Sequence, residues 1–262
     1  MKLKNIFCAL SLLVTFNLQA EVVTKNVTYK EGDTTMKGMI AYDDAIKGKR
    51  PGVLVVHEWW GHNDYARERA VMLAELGYTA FAVDMYGDGK TADHPDDAGK
   101  FAGAVGGNLP LAKARFEAAI ATLKKDSSVD SDKLAAIGYC FGGGILINMA
   151  RLGTDIDGVV SYHGSIGTKN PAKKGDIKTK IRVFNGEADP FVTAEQIEAF
   201  KTEMKTSGAD YQFVNYPGAK HSFTRKGADE VGKKFNLPLE YNKDADEASW
   251  KATQEFFNEI FK

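Results

Sequence analysis

The stretch Ala135-Ala136-Ile137-Gly138-Tyr139-Cys140-Phe141-Gly142-Gly143-Gly144 limits what this chain can fold into more than any other. A short apolar run meets a glycine-flanked cysteine and passes directly into the helical pattern Ile145 to Leu152. That is the form of a nucleophile elbow, G-x-S-x-G, with sulfur in place of the hydroxyl. A sharp strand-to-helix turn strains the central residue, and side chains two residues either side would collide, so glycines fit at 138 and 142. The turn lifts the central side chain clear of a sheet and lets the amide at the helix start face a developing oxyanion. The same residues also suit a buried structural cysteine in a glycine-rich turn. From this stretch alone the two readings are balanced.

Around it, apolar strand patterns alternate with amphipathic helix patterns. Val22 to Tyr29 and Thr34 to Tyr42 flank a turn and predict an antiparallel hairpin. Val53 to Val56, Tyr78 to Val83, Lys133 to Ile137, Gly158 to Tyr162, Ile181 to Asn185 and Tyr211 to Tyr216 predict strands. Helices are predicted over Tyr65 to Leu76, Leu109 to Leu123, Ile145 to Leu152, Ala194 to Met204 and Ala248 to Phe261. Asp88 to Asp97 reads as an irregular surface loop. The fold class is therefore α/β, a doubly wound and mostly parallel sheet with an N-terminal antiparallel hairpin. With 262 residues and no repeat or linker, residues 21–262 are expected to form one domain.

The first twenty residues read as a secretory leader. Lys2 and Lys4 precede an apolar run from Ile6 to Phe16, and a small residue, Ala20, stands before Glu21. The run is too short for a stable transmembrane helix. Export to the periplasm or medium is expected, and Cys8 leaves with the leader. Cys140 is then the one thiol of the mature chain, which rules out an intrachain disulfide. Thirty-four basic residues against thirty-five acidic ones, with no basic block, argue against a nucleic-acid or membrane partner. A small-molecule substrate and a monomer are expected.

A cysteine nucleophile needs a base, and the base needs an orienting acid. Asp189 follows the strand Ile181 to Asn185, and His221 follows the strand Tyr211 to Tyr216. The order of nucleophile, acid and histidine is that of α/β-hydrolases, and ligands in such sheets sit at the carboxyl ends of strands. Asp189 before Pro190 could be only a turn former, and His221 an ordinary loop histidine. Their coincidence in order and placement with Cys140 favours a triad. Two other signals are set aside. His57-Glu58-x-x-x-His62 has the wrong spacing and setting for a zinc helix, and the glycines 138 to 144 lack the G-x-G-x-x-G spacing for a dinucleotide. No cofactor or metal is called for.

The sequence resembles the dienelactone hydrolase family of α/β-hydrolases. The resemblance rests on His57-Glu58-Trp59-Trp60-Gly61, Asp84-Met85-Tyr86-Gly87, Gly138-Tyr139-Cys140-Phe141-Gly142-Gly143, Gly186-Glu187-Ala188-Asp189-Pro190 and Gly218-Ala219-Lys220-His221-Ser222-Phe223, in family order. It implies an ester or lactone hydrolase with the triad Cys140, His221 and Asp189, and an oxyanion hole built from the amides of Trp59 and Phe141. It further implies that Glu58 contacts the resting thiol and gates thiolate formation, and that Arg225 grips a substrate carboxylate. Trp60 and His163 are candidates for the substrate pocket, against a plain packing role. The arginine that the founding enzymes carry after the D-x-Y segment is missing from Gly87-Asp88-Gly89-Lys90, which argues against dienelactone itself as substrate. A thiol-redox protein and a non-catalytic binding module on the same fold are the alternatives from other classes.

Overall fold

The structure is a computed structural model that describes residues 22–262; the leader-like segment and Cys8 lie outside the described residues. Strands β1 (Val22–Glu31) and β2 (Thr34–Asp43) form the N-terminal hairpin, closed at Gly32, whose φ of 52° suits a residue without a side chain. Six further strands follow: β3 (Arg50–Val56), β4 (Thr79–Val83), β5 (Val129–Tyr139), β6 (Gly158–Tyr162), β7 (Lys180–Gly186) and β8 (Tyr211–Tyr216). They join one sheet in the order β1-β2-β4-β3-β5-β6-β7-β8. β1, β2 and β4 pair antiparallel, and every pair from β4 to β8 is parallel.

The central strands are apolar on both faces because helices cover both. Along β3 the side chains divide by alternation. Leu54 and Val56 pack with α3 (Leu109–Lys124), α4 (Phe141–Arg151) and α5 (Ala194–Ser207), while Val53 and Val55 pack with α1 (Asp64–Glu75) and α7 (Lys243–Ile260). The parallel strands all end on one side, and that side carries the residues after β3, β5, β7 and β8 singled out in the sequence.

Two helices lie where none was expected. α2 (Pro95–Gly106) overlaps the segment expected as a loop, and α6 (Ala228–Phe235) follows the loop after β8. Gly99 and Gly103 weaken α2 by about 1 kcal/mol each relative to alanine, which hides it from propensity. It forms because His94 caps it, Pro95 opens it, and Ala98 and Val105 are buried beneath it. α7 starts at Lys243, five residues before the expected Ala248, because Asn242 accepts a cap bond from the Ala245 amide.

The turn between β5 and α4 leaves no room for a methyl group. A Cβ at Gly138 would lie 2.5 Å from the carbonyl of Gly142, a backbone atom that cannot swing away. Gly138→Ala is therefore expected to lower stability by roughly 1–3 kcal/mol, seen as a lower urea midpoint at unchanged slope. A midpoint equal to wild type would show that the turn is looser than its geometry.

Candidate active site

Cys140 sits at the head of α4 with φ 52° and ψ −113°, a backbone that residues with a Cβ rarely adopt. Neighbouring elements hold it there. Its amide donates to the Tyr162 carbonyl (3.0 Å) and to Nδ1 of His163 (3.2 Å), and the Gly142 amide donates to the His57 carbonyl (3.1 Å). Gly142 passes so close to the Val56 and His57 carbonyls that no side chain fits. The sulfur is half-buried at the head of α4.

Two amides flank it without partners. The Glu58 carbonyl accepts from His57 Nδ1 (2.6 Å) and from the Gly61 amide (3.1 Å), so across the planar trans peptide the Trp59 N–H is turned the other way. Likewise the Cys140 carbonyl accepts from the Gly144 amide (3.1 Å), which turns the Phe141 N–H outward. Neither N–H has an acceptor among the described residues. The Trp59 strand end is braced further by Tyr86, whose hydroxyl donates to the Trp59 carbonyl (3.0 Å). Tyr86 is set in turn by Asp84, whose two oxygens accept four backbone amides, those of Lys37, Tyr86, Gly87 and Gly89.

His221 stands in the loop after β8 and lines the same cavity as Cys140. Its Nδ1 is 2.7 Å from Oδ2 of buried Asp189, and the Phe191 amide donates to the other carboxylate oxygen at 2.8 Å. Burial by itself would push the His221 pKa down. The negative charge of Cys140 and the Asp189 carboxylate outweigh it and raise the ring to about 10.

Of the remaining expected residues, Glu58, Arg225 and Trp60 fall elsewhere than expected, and His163 falls on the cavity. Glu58 is buried, but its oxygens accept from Ser222 Oγ (3.0 Å) and Arg225 Nη1 (3.1 Å), not from the thiol. Arg225 is spent in that pair. It borders a neighbouring groove with Trp60 and Tyr65 and does not line the cavity beside Cys140. Trp60 packs against Ala92, Ala98 and Phe235, leaving Trp59 as the tryptophan on the cavity wall. His163 does line the cavity, yet both its ring nitrogens are already engaged, with the Cys140 amide and Thr224 Oγ1. Ser222, Thr224, Phe191, Leu237 and Leu239 were not singled out from sequence. Of these, Phe191 alone had a signal, as an apolar residue directly after the Asp189-Pro190 pair.

The cavity holds about 510 Å³. Its walls are Trp59, Phe141, Ile145, Val192, Leu237 and Leu239, with Ala102 and Gly106 supplied by α2. Among the described residues, the one ionisable side chain on the wall besides Cys140 and His221 is neutral His163, held well below the usual histidine range first by burial and then by the charge of His221.

Two more histidines are buried nearby. His57 donates through Nδ1 and accepts the Met85 amide at Nε2 (3.2 Å), so neither nitrogen is free to ligate a metal. Burial lowers His57 to about 4, against weaker pulls from the Glu58 carbonyl and Asp84, and burial with the charges of His57 and Arg67 lowers His62 to about 4. For a base depressed in the folded state, the unfolded chain takes up protons first as pH falls. Stability supplied by the neutral rings is therefore whole above about 6.5 and is lost between 6.5 and about 4. A decline on the order of a few kcal/mol across this window is expected from denaturant melts at stepped pH. A flat profile between pH 6.5 and 4 would contradict the neutral assignment.

The match to the Dienelactone hydrolase family spans residues 36–261. Protein usf from Aquifex pyrophilus is 30% identical over 239 residues, covering 89% of this chain and 97% of that protein. A putative carboxymethylenebutenolidase from Aquifex aeolicus is 27% identical over 210 residues, covering 78% of this chain and 89% of its own length. Among solved structures, a dienelactone hydrolase-like promiscuous phosphotriesterase from metagenomic libraries superposes with a TM-score of 0.86 at 33% identity, covering 92% of this chain and 99% of that one. With the strand order and the elbow, these likenesses place the chain in the dienelactone hydrolase family of α/β-hydrolases, as a hydrolase of ester or lactone bonds.

Proposed function

We propose that this hydrolase cleaves uncharged, apolar esters or lactones through a Cys140–His221–Asp189 triad and a thioester intermediate, and that it works outside the cytoplasm. The reading is carried by one observation: a strained cysteine faces a histidine oriented by a buried carboxylate, between two unpartnered amides. The Cys140 thiolate attacks the substrate carbonyl, and the negative oxygen that forms is received by the N–H groups of Trp59 and Phe141. The His221 imidazolium gives its proton to the departing alcohol oxygen as the C–O bond breaks, leaving an acyl thioester and a neutral ring. Water then attacks the thioester, losing a proton to His221, and the C–S bond breaks to regenerate the thiolate and imidazolium. Asp189 keeps the proton on Nδ1 when the ring is neutral, so Nε2 is the nitrogen that faces the chemistry. Location outside the cytoplasm rests on the leader-like character of residues 1–20.

Cys140→Ala is expected to abolish turnover of p-nitrophenyl acetate, and His221→Ala to trap or prevent acylation, read as a mass increase on the intact wild-type protein during turnover and its loss in Cys140→Ala. Full activity in Cys140→Ala would sink the mechanism.

The substrate class follows from the walls. Among the described residues no lysine or arginine lines the cavity to receive a carboxylate, and Arg225 is tied to Glu58 outside it. Burying an unpaired carboxylate costs several kcal/mol. An aryl butyrate is therefore expected to exceed its succinate half-ester counterpart in kcat/KM by on the order of 100-fold. Equal or reversed values would mean that Arg225 leaves Glu58 to bind substrate.

A further inference from the structure

His163 follows the last residue of β6 with φ 41°, a left-handed backbone that histidine adopts at a cost. Its own amide donates to the Phe184 carbonyl at 2.8 Å, which fixes it to β7. The ring is fully buried. Nδ1 accepts the Cys140 amide, so the proton sits on Nε2 and is donated to Thr224 Oγ1 at 2.9 Å. Thr224 stands three residues after His221, in a tight turn where Ser222 has φ 59° and the Arg225 amide returns to the Ser222 carbonyl at 2.9 Å. On its far side Thr224 meets the Tyr65 hydroxyl at 2.7 Å, and Tyr65 is held by Arg69 Nε at 3.3 Å. Arg69 in turn pairs with Asp246 at 2.8 Å, so the chain of contacts ends in α1 and α7.

We propose that His163 is a positioning residue. It is a strut that joins the turn carrying Cys140 to the loop carrying His221, through Thr224, and so sets the distance between sulfur and imidazole. The inference rests on the triad reading above. Without the strut, the two groups hang from different strand ends, β5 and β8, which are not neighbours in the sheet. The strut also accounts for a second histidine edge-on to the base, with ring centroids 5.0 Å apart. The groups facing His163 are Cys140 and Tyr139 from the β5 end, His221 from the loop after β8, and Arg69 from α1. Only an uncharged ring can stand there when His221 carries the proton.

The test uses Thr224→Val, which keeps the shape and removes the hydroxyl, with Thr224→Ser as the conservative control. Thr224 is absent from the cavity wall, so a change in KM beyond about twofold is not expected. Per active site, kcat for p-nitrophenyl acetate should fall by on the order of tenfold to hundredfold. The pH midpoint for alkylation of Cys140 by iodoacetamide should move upward, since a worse-placed imidazolium favours the thiolate less. Thr224→Ser should restore both. A merely structural role would reduce the folded fraction and leave kcat per titrated site and the alkylation midpoint unchanged, and that result overturns the proposal. Should Thr224→Val fail to fold, His163→Asn decides. It tolerates the left-handed backbone and keeps an acceptor for the Cys140 amide, but cannot reach Thr224, so wild-type kcat in that variant overturns the proposal. An active Cys140→Ala would instead remove the triad reading beneath it.

Discussion

The contact on which the site depends is the approach of the α4 start to the end of β3. The Gly142 amide donates to the His57 carbonyl, and its Cα lies where any side chain would strike Val56. This contact fixes two things together. It forces Cys140 into positive φ, and it brings the Phe141 amide to the same side as the Trp59 amide, because Trp59 follows His57 by two residues. The placement of Cys140 and of both candidate oxyanion donors thus follows from one backbone junction between neighbouring parallel strands. Rigid elements hold such a junction more closely than loops could.

The charges around it are arranged by pairing. Asp189 is satisfied by His221 and an amide, Glu58 by Arg225 and Ser222, and Arg69 by Asp246. Buried charges need such partners, and breaking a pair leaves an uncompensated ion at a cost of roughly 3–5 kcal/mol. The pairing of Glu58 matters most for the chemistry. A carboxylate left unpaired near Cys140 would put a bare negative charge there, and the pair with Arg225 neutralises it. In this chain Glu58 is held by Ser222 and Arg225 and seats the loop that carries them.

Much of this was legible in the sequence, and the remainder fails for identifiable reasons. The hairpin, the buried strands and the elbow were readable because alternation, continuous apolar runs and paired glycines each have a local physical cause. Asp189 and His221 were readable because chain order and strand-end placement are one-dimensional facts. The partner of Arg225 was not, since Glu58 lies 167 residues away and nothing local distinguishes a bound arginine from a free one. Trp59 and Trp60 could not be separated either, because side chains one residue apart at a strand end diverge according to what the loop does next. His163 was legible as a strand-end residue, but its tautomer and both partners come only from three segments meeting.

The two helices hidden from the sequence bear on what the site can accept. α2 contributes Ala102 and Gly106 to the cavity wall, and the chain leaving α6 contributes Leu237 and Leu239. α2 carries glycines inside it, and α6 is eight residues long with no side-chain cap, so neither would hold as an isolated helix. Their stability is borrowed from packing, through Ala98 and Val105 for α2 and Ala228 for α6. Cys140 and the two flanking amides rest on the buried central strands and on α4, while the walls rest on the least self-sufficient elements of the molecule. Changes in those walls can reshape the cavity without touching the junction between β3 and α4. The cavity wall and the β3–α4 junction thus belong to different layers of one fold, and the weak local signal of α2 and α6 is the sequence trace of that separation.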